Sequence, residues 1–172
     1  MCLIFLTREI THNFSSNVKL VNASSDNQMV NSEQCYCMGW GAITSFGSQL
    51  SSFLRDIRMS LLNQLICFNS NPRVFSPDIM LCCGDATKSV GTSFGDSGAP
   101  VICNVRDNPN VRYMIGIVSI GASNSFKSIV ILSKISAFYE WINFYADNEQ
   151  IQPPRNPFIP GEYFVRQRNP NN

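Results

Sequence analysis

The chain has 172 residues and 13 Lys and Arg against 12 Asp and Glu, for a net charge of +1. That length suits one well-buried core, or one domain with part of another. No run of Lys or Arg exceeds two residues, so neither a nucleic-acid groove nor a polybasic membrane patch is expected.

The chain opens on residues 2–6, CLIFL, which read as a buried strand over 3–6. With no basic residues before it and no small-residue cleavage site after it, this run is not a signal peptide, and it is far too short to span a membrane. Residues 11–34 are rich in Asn, Ser and Gln around Val18, Leu20 and Val21, and read as a connecting segment. They hold two N-glycosylation sequons, at Asn13 and Asn22, which agree with an oxidising compartment. The seven cysteines point the same way. Cys35 with Cys37, and Cys82 with Cys83, lack the paired spacing and the histidines of a zinc site, so disulfides are expected and no metal or cofactor.

From Cys35 onward short strands recur between turn signals. Ile57, Met59 and Leu61 alternate with Arg58 and Ser60; residues 79–82, 100–105 and 113–120 follow, separated by Asn-Pro, Ser-Pro and Gly-containing breaks. This spacing predicts an antiparallel sandwich or barrel. The period then changes: Ile135, Phe138, Tyr139, Ile142 and Ala146 share one helical face, with Ser136 as the N-cap. Residues 147–172 hold five of the nine prolines among Asn, Gln and Arg, a composition expected to stay extended or disordered.

One stretch carries chemistry. In GTSFGDSGAP, residues 91–100, Ser97 stands among glycines and beside Asp96. A serine needs a base to take its proton and preorganised donors for the oxyanion it creates. Gly95 and Gly98 let the chain turn sharply, so the amides of Gly95 and Ser97 can point into a common anion site. A loop that merely turns would have the same composition. A nucleophile elbow running Gly95, Ser97, Ala99 would require a helix after the serine, whereas residues 99–103, APVIC, read as a strand.

These motifs together resemble the C-terminal portion of a chymotrypsin/trypsin-like serine protease, over roughly residues 1–146. CYCMGWG is similar to the strand opening the second barrel, MLCCG to a later strand, and GDSGAP to the nucleophile loop. MIGIVSIG is similar to the substrate-binding strand and ISAFYEWI to the closing helix. The resemblance implies an all-β fold: an antiparallel Greek-key β-barrel, the second of a double barrel, with a C-terminal α-helix. It divides the chain into 1–34, a remnant of the first barrel and the interdomain linker; 35–146, the second barrel with its helix; and 147–172, the tail. It implies Ser97 as nucleophile, the Gly95 and Ser97 amides as oxyanion hole, and Asp96 as partner of a new N-terminal ammonium. Peptide or protein substrates and a secreted parent protein follow.

The family's triad runs His, Asp, Ser; the resemblance begins directly after the Asp, and His12 lies downstream of it. The first barrel is therefore expected to be missing, the chain to be inactive alone, and Asp96 to turn toward water and pull the oxyanion loop out of shape. A non-catalytic homologue serving as a binding module is the alternative. The resemblance also implies disulfides Cys35–Cys103 and Cys67–Cys82. The family's bond beside the specificity pocket is absent, with Ser93 and Asn124 at its positions. Cys2, Cys37 and Cys83 remain as buried thiols, or Cys37 and Cys83 pair. Ala99 replaces a glycine usual in the family. Ser119 and Gly121 fall on the substrate-binding strand, Gly91 gives the pocket an uncharged floor and Val130 narrows its wall.

Overall fold

A computed structural model of the chain describes residues 1–4, 18–23, 30–44, 49–85, 91–106, 108, 110–121 and 128–147. Seven strands form one sheet: β1 (Val18–Leu20), β2 (Val30–Gly39), β3 (Arg55–Leu61), β4 (Met80–Asp85), β5 (Pro100–Val105), β6 (Arg112–Gly121) and β7 (Ser128–Lys134). Their order is β1-β6-β5-β2-β3-β4-β7, and β6 also pairs with β7. The last six strands in sequence thus close into an antiparallel barrel, onto which β1 adds in parallel beside β6. β5 returns past β3 and β4 to pair with β2, which gives β2 to β5 the spatial order of a Greek key.

Closure leaves two apolar layers. Inside, Val30, Cys37, Met59, Cys83, Val101, Val118, Val130 and Leu132 belong to one buried cluster. Outside, Cys82, Ile129 and Ile131 pack with Phe75 and Cys67. β7 is therefore covered on both sides, with Val130 and Leu132 facing in and Ile129 and Ile131 facing out, as strand alternation dictates. Each such side chain contributes about 1.5–3 kcal/mol by leaving water. A Cβ on Gly116 of β6 would stand 2.9 Å from Leu132 Cβ, so this glycine permits the close approach of β6 to β7.

The outer layer is capped by α1 (Gln64–Ser70), which starts where the Asn63 side chain accepts the Leu65 amide at 2.8 Å. Its one buried residue, Cys67, is bonded to Cys82 of β4. Cys35 of β2 is bonded to Cys103, its register partner on β5. These are the two pairs the resemblance implies. Cys37 and Cys83 are buried and free, whereas Cys2 is exposed, contrary to the expectation for it.

Several sequence readings are corrected. Residues 1–4 form no strand and Ile4 is 83% exposed; only Leu3 reaches the core. The connecting segment read over 11–34 contains β1, and β2 begins at Val30 rather than Cys35, because Val21 and Val30 are both core residues. The closing helix is α2 (Tyr139–Asp147), preceded by a 3-10 turn, Ile135–Phe138. Ser136 lies inside that turn with its hydroxyl buried and unpartnered among the described residues, so it does not cap the helix. Ala146 is exposed, while Ile135 and Ile142 are buried as expected. Among the described residues no helix is long and apolar enough to cross a membrane. The tail over 148–172, His12 and Asn13 lie outside the described residues.

Candidate active site

Residues 91–99 form the loop that enters β5, and its shape follows from two glycines. Gly95 and Gly98 have φ of 92° and 90°, a region that side-chain-bearing residues rarely adopt. Between them the backbone is tied down on both sides. Asp96 N–H donates to Ser93 O at 3.1 Å and Ala99 N–H to Asp96 O at 2.9 Å. Gly98 N–H donates to Val118 O and Val118 N–H to Ala99 O, each at 2.9 Å, which fastens the loop to β6. Ala99, where the family commonly has glycine, is half-buried and packs on the core.

Within this frame the amides of Asp96, Gly98 and Ala99 are taken, whereas those of Gly95 and Ser97 make no hydrogen bond among the described residues. Both residues are exposed. An exposed hydroxyl beside two unused amides on a pinned loop is chemically suited to attack on a carbonyl and stabilisation of the resulting oxyanion.

The Asp96 side chain does not turn toward water as expected. It is half-buried and accepts Gly41 N–H at 2.8 Å through one oxygen and Ser93 N–H at 2.9 Å through the other. The carboxylate fills a notch that only glycines leave open, since a Cβ on Gly39 or Gly41 would collide with it. Charge-assisted bonds to two amides offset part of its desolvation, so backbone donors hold the carboxylate inward. The Cys37 thiol lies close enough to feel it. Burial, and secondarily the Asp96 charge, push the Cys37 pKa up to about 11; burial, and secondarily Cys37, push that of Cys83 up to about 12. Neither is suited to nucleophilic work.

An isolated bridge lies beside the loop. Residues 40–42 run beside the loop, with Ala42 N–H donating to Phe94 O at 2.7 Å. Ala42 also bridges to Leu50, and a Cβ on Gly95 would stand 3.2 Å from Leu50 Cδ2 and 3.4 Å from Gly41 Cα. Sequence reasoning passed over Gly39, Gly41, Leu50 and Ser51. The signal was present in GWG, two glycines around Trp40, but only the fold says what approaches them.

The pocket residues are brought partly together. Gly121, at the end of β6, faces Thr92, whose hydroxyl oxygen would lie 3.5 Å from a Cβ placed there. The Thr92 hydroxyl is buried and has no partner among the described residues. Val130 is the register partner of Gly121 and is buried. Ser119 is exposed at a bulge, skipped between the pairs Val118 with Leu132 and Ile120 with Ile131. Gly91 is exposed at the start of the loop. Asn22 is half-buried beside the core residue Val21, and Asn124 lies outside the described residues. Among the described residues no group of three His, Cys, Asp or Glu could hold a metal.

Comparison with known proteins shows the family. The family model for trypsin matches residues 2–142. Human serine protease 41 is 30% identical over 149 residues, covering 83% of this chain and 46% of that protein. The thrombin-like enzyme bilineobin of Agkistrodon bilineatus is 31% identical, covering 70% of this chain and 49% of that protein. Chymotrypsin-like elastase family member 1 of Canis lupus familiaris is 28% identical, covering 67% and 44%. The chain thus spans about half the length of these curated relatives. It belongs to the trypsin family of serine proteases.

Proposed function

We propose that this chain is the nucleophile-bearing half of a secreted serine endopeptidase, with Ser97 as nucleophile and the Gly95 and Ser97 amides as oxyanion hole. The observation that carries the reading is the pinned loop, in which those two amides are the ones left unbonded while Asp96 is held inward. The triad order His, Asp, Ser places the base and its orienting carboxylate before Ser97, in residues outside this chain, and the chain's span of about half its relatives' length is compatible with that. Alone, the chain leaves the Ser97 proton in place and is inactive; with a first barrel present it cleaves peptide or protein substrates. Two disulfides support an extracytoplasmic setting.

The test begins with the transcript upstream of Met1. An aspartate immediately before Met1, a histidine further upstream, and stoichiometric phosphonofluoridate labelling of that longer protein at Ser97, abolished by Ser97→Ala, are the expected results. Other residues at the two positions, together with absent labelling, would overturn the enzyme reading in favour of a non-catalytic binding homologue.

A further inference from the structure

We infer that Ser51 is a positioning residue for the Ser97 loop, acting through residues 40–42 as a latch whose bolt is Arg55. Ser51 is one of two buried polar residues among those described, and it is 8% exposed. The other, Ser136, leaves its hydroxyl unpartnered, whereas the amide and the hydroxyl of Ser51 are both bonded. Its amide is shared between Trp40 O at 3.3 Å and Gly41 O at 3.2 Å. Its hydroxyl donates to Phe53 O at 2.7 Å and accepts from Phe53 N–H at 3.3 Å and from Arg55 Nε–H at 3.0 Å.

What the latch holds is the segment that holds the loop. The peptide carbonyl of Gly41 is gripped by Ser51, and its amide grips Asp96 at 2.8 Å. The next amide, Ala42, grips Phe94 O. Leu50, immediately before Ser51, lies against Gly95. Three routes therefore run from residues 50–51 to residues 94–96: through Gly41, through Ala42 and through Leu50 itself. Removing the hydroxyl would release Phe53 N–H and the Arg55 guanidinium, both on exposed residues, to bond with water instead, and so untie residues 51–55 from one another. Gly41 and Ala42 would move with Ser51, and the Gly95 and Ser97 amides would move with the loop that those two residues hold. A residue remote from the chemistry thus fixes donor direction, the kind of displacement to which oxyanion stabilisation is sensitive.

The catalytic meaning of this latch rests on the reading of Ser97 proposed above, but its test does not need activity. In the 15N-labelled chain, amide resonances are compared between wild type, Ser51→Ala and Arg55→Gln. The expected result for Ser51→Ala is movement of the Gly41, Gly95 and Ser97 amides, with about tenfold faster hydrogen exchange at Gly41, corresponding to roughly one net hydrogen bond. Leu81 and Leu132, register partners between β4 and β7, stay in place and report an intact fold. Arg55→Gln, which removes only the guanidinium, moves the same three amides by less. Unmoved Gly41, Gly95 and Ser97 amides in folded Ser51→Ala would overturn the inference. If that variant does not fold, Arg55→Gln decides: movement of the three supports the latch, and stillness overturns it. Failure of Ser97 labelling in a longer protein bears on the proposed function alone.

Discussion

Gly41 and Asp96 are 55 residues apart in sequence and joined by a 2.8 Å bond from backbone amide to carboxylate. The glycine is needed twice, once for the amide and once because a Cβ would occupy the carboxylate's place. Gly41→Ala is expected to destabilise the chain by about 1–3 kcal/mol, the range for overpacking a fitted site. Denaturant unfolding measures this; a cost under about 0.5 kcal/mol, typical of an unconstrained surface position, would mean the carboxylate moves aside freely.

Asp96→Asn keeps the shape and removes the charge. One side-chain oxygen still accepts an amide, but the new NH2 group must face the second amide, donor against donor. A loss of about 1–3 kcal/mol is expected from the amide left unsatisfied. The same unfolding experiment checks it, with Asp56→Asn on the exposed side of β3 as a neutral comparison.

Both disulfides restrict the unfolded chain. Cys67 and Cys82 are separated by 15 positions and Cys35 and Cys103 by 68. In the chain-entropy account these closures are worth about 3 and about 4 kcal/mol. Replacing each pair with Ala or Ser should lower the denaturation midpoint, the longer closure more. Equal midpoints before and after would contradict the estimate.

The three free thiols should separate by accessibility. In the folded chain an aromatic disulfide reagent is expected to titrate Cys2 alone, and in denaturant all three. Because burial raises the folded pKa of Cys37 to about 11 and of Cys83 to about 12, from 9.0, the unfolded chain releases these protons first. Stability is therefore full below pH 9 and falls as pH rises toward 12. A flat unfolding free energy across that window would contradict the assignment of both thiols to the core.

On the proposed function, cleavage after Ala, Val or Leu by a protein that joins this chain to a first barrel is expected to exceed cleavage after Arg. Gly91 offers no counter-charge, the Thr92 hydroxyl beside Gly121 is neutral, and Val130 is bulky. A cation desolvated against these groups loses more than its methylenes gain. kcat/KM over a matched peptide series decides it, and a value for Arg above those for Ala and Leu would sink the uncharged-floor reading.

Strands with one covered side were legible in sequence: in β3, Ile57, Met59 and Leu61 alternate with Arg58 and Ser60, so the period shows. β7 was not, because IVIL is buried on both sides and has no period of two. α1 escaped for the opposite reason, since only Cys67 of its seven residues is buried and no apolar stripe marks it. The Ser97 loop was legible through its glycines. The notch for Asp96 was not, because it is built by residues 39 and 41 from another strand's end, and proximity across 55 positions has no local signature.

The neighbouring cysteines of β4 point to opposite sides of the sheet, Cys82 outward to Cys67 and Cys83 inward to the core. A slip of β4 by one residue exchanges the two sides. The oxidation pattern is thus a covalent record of strand alignment: a refolded molecule joined through Cys67 and Cys83 has trapped the wrong register, and a peptide map resolving 82 from 83 tells correctly assembled barrels from misaligned ones of identical mass.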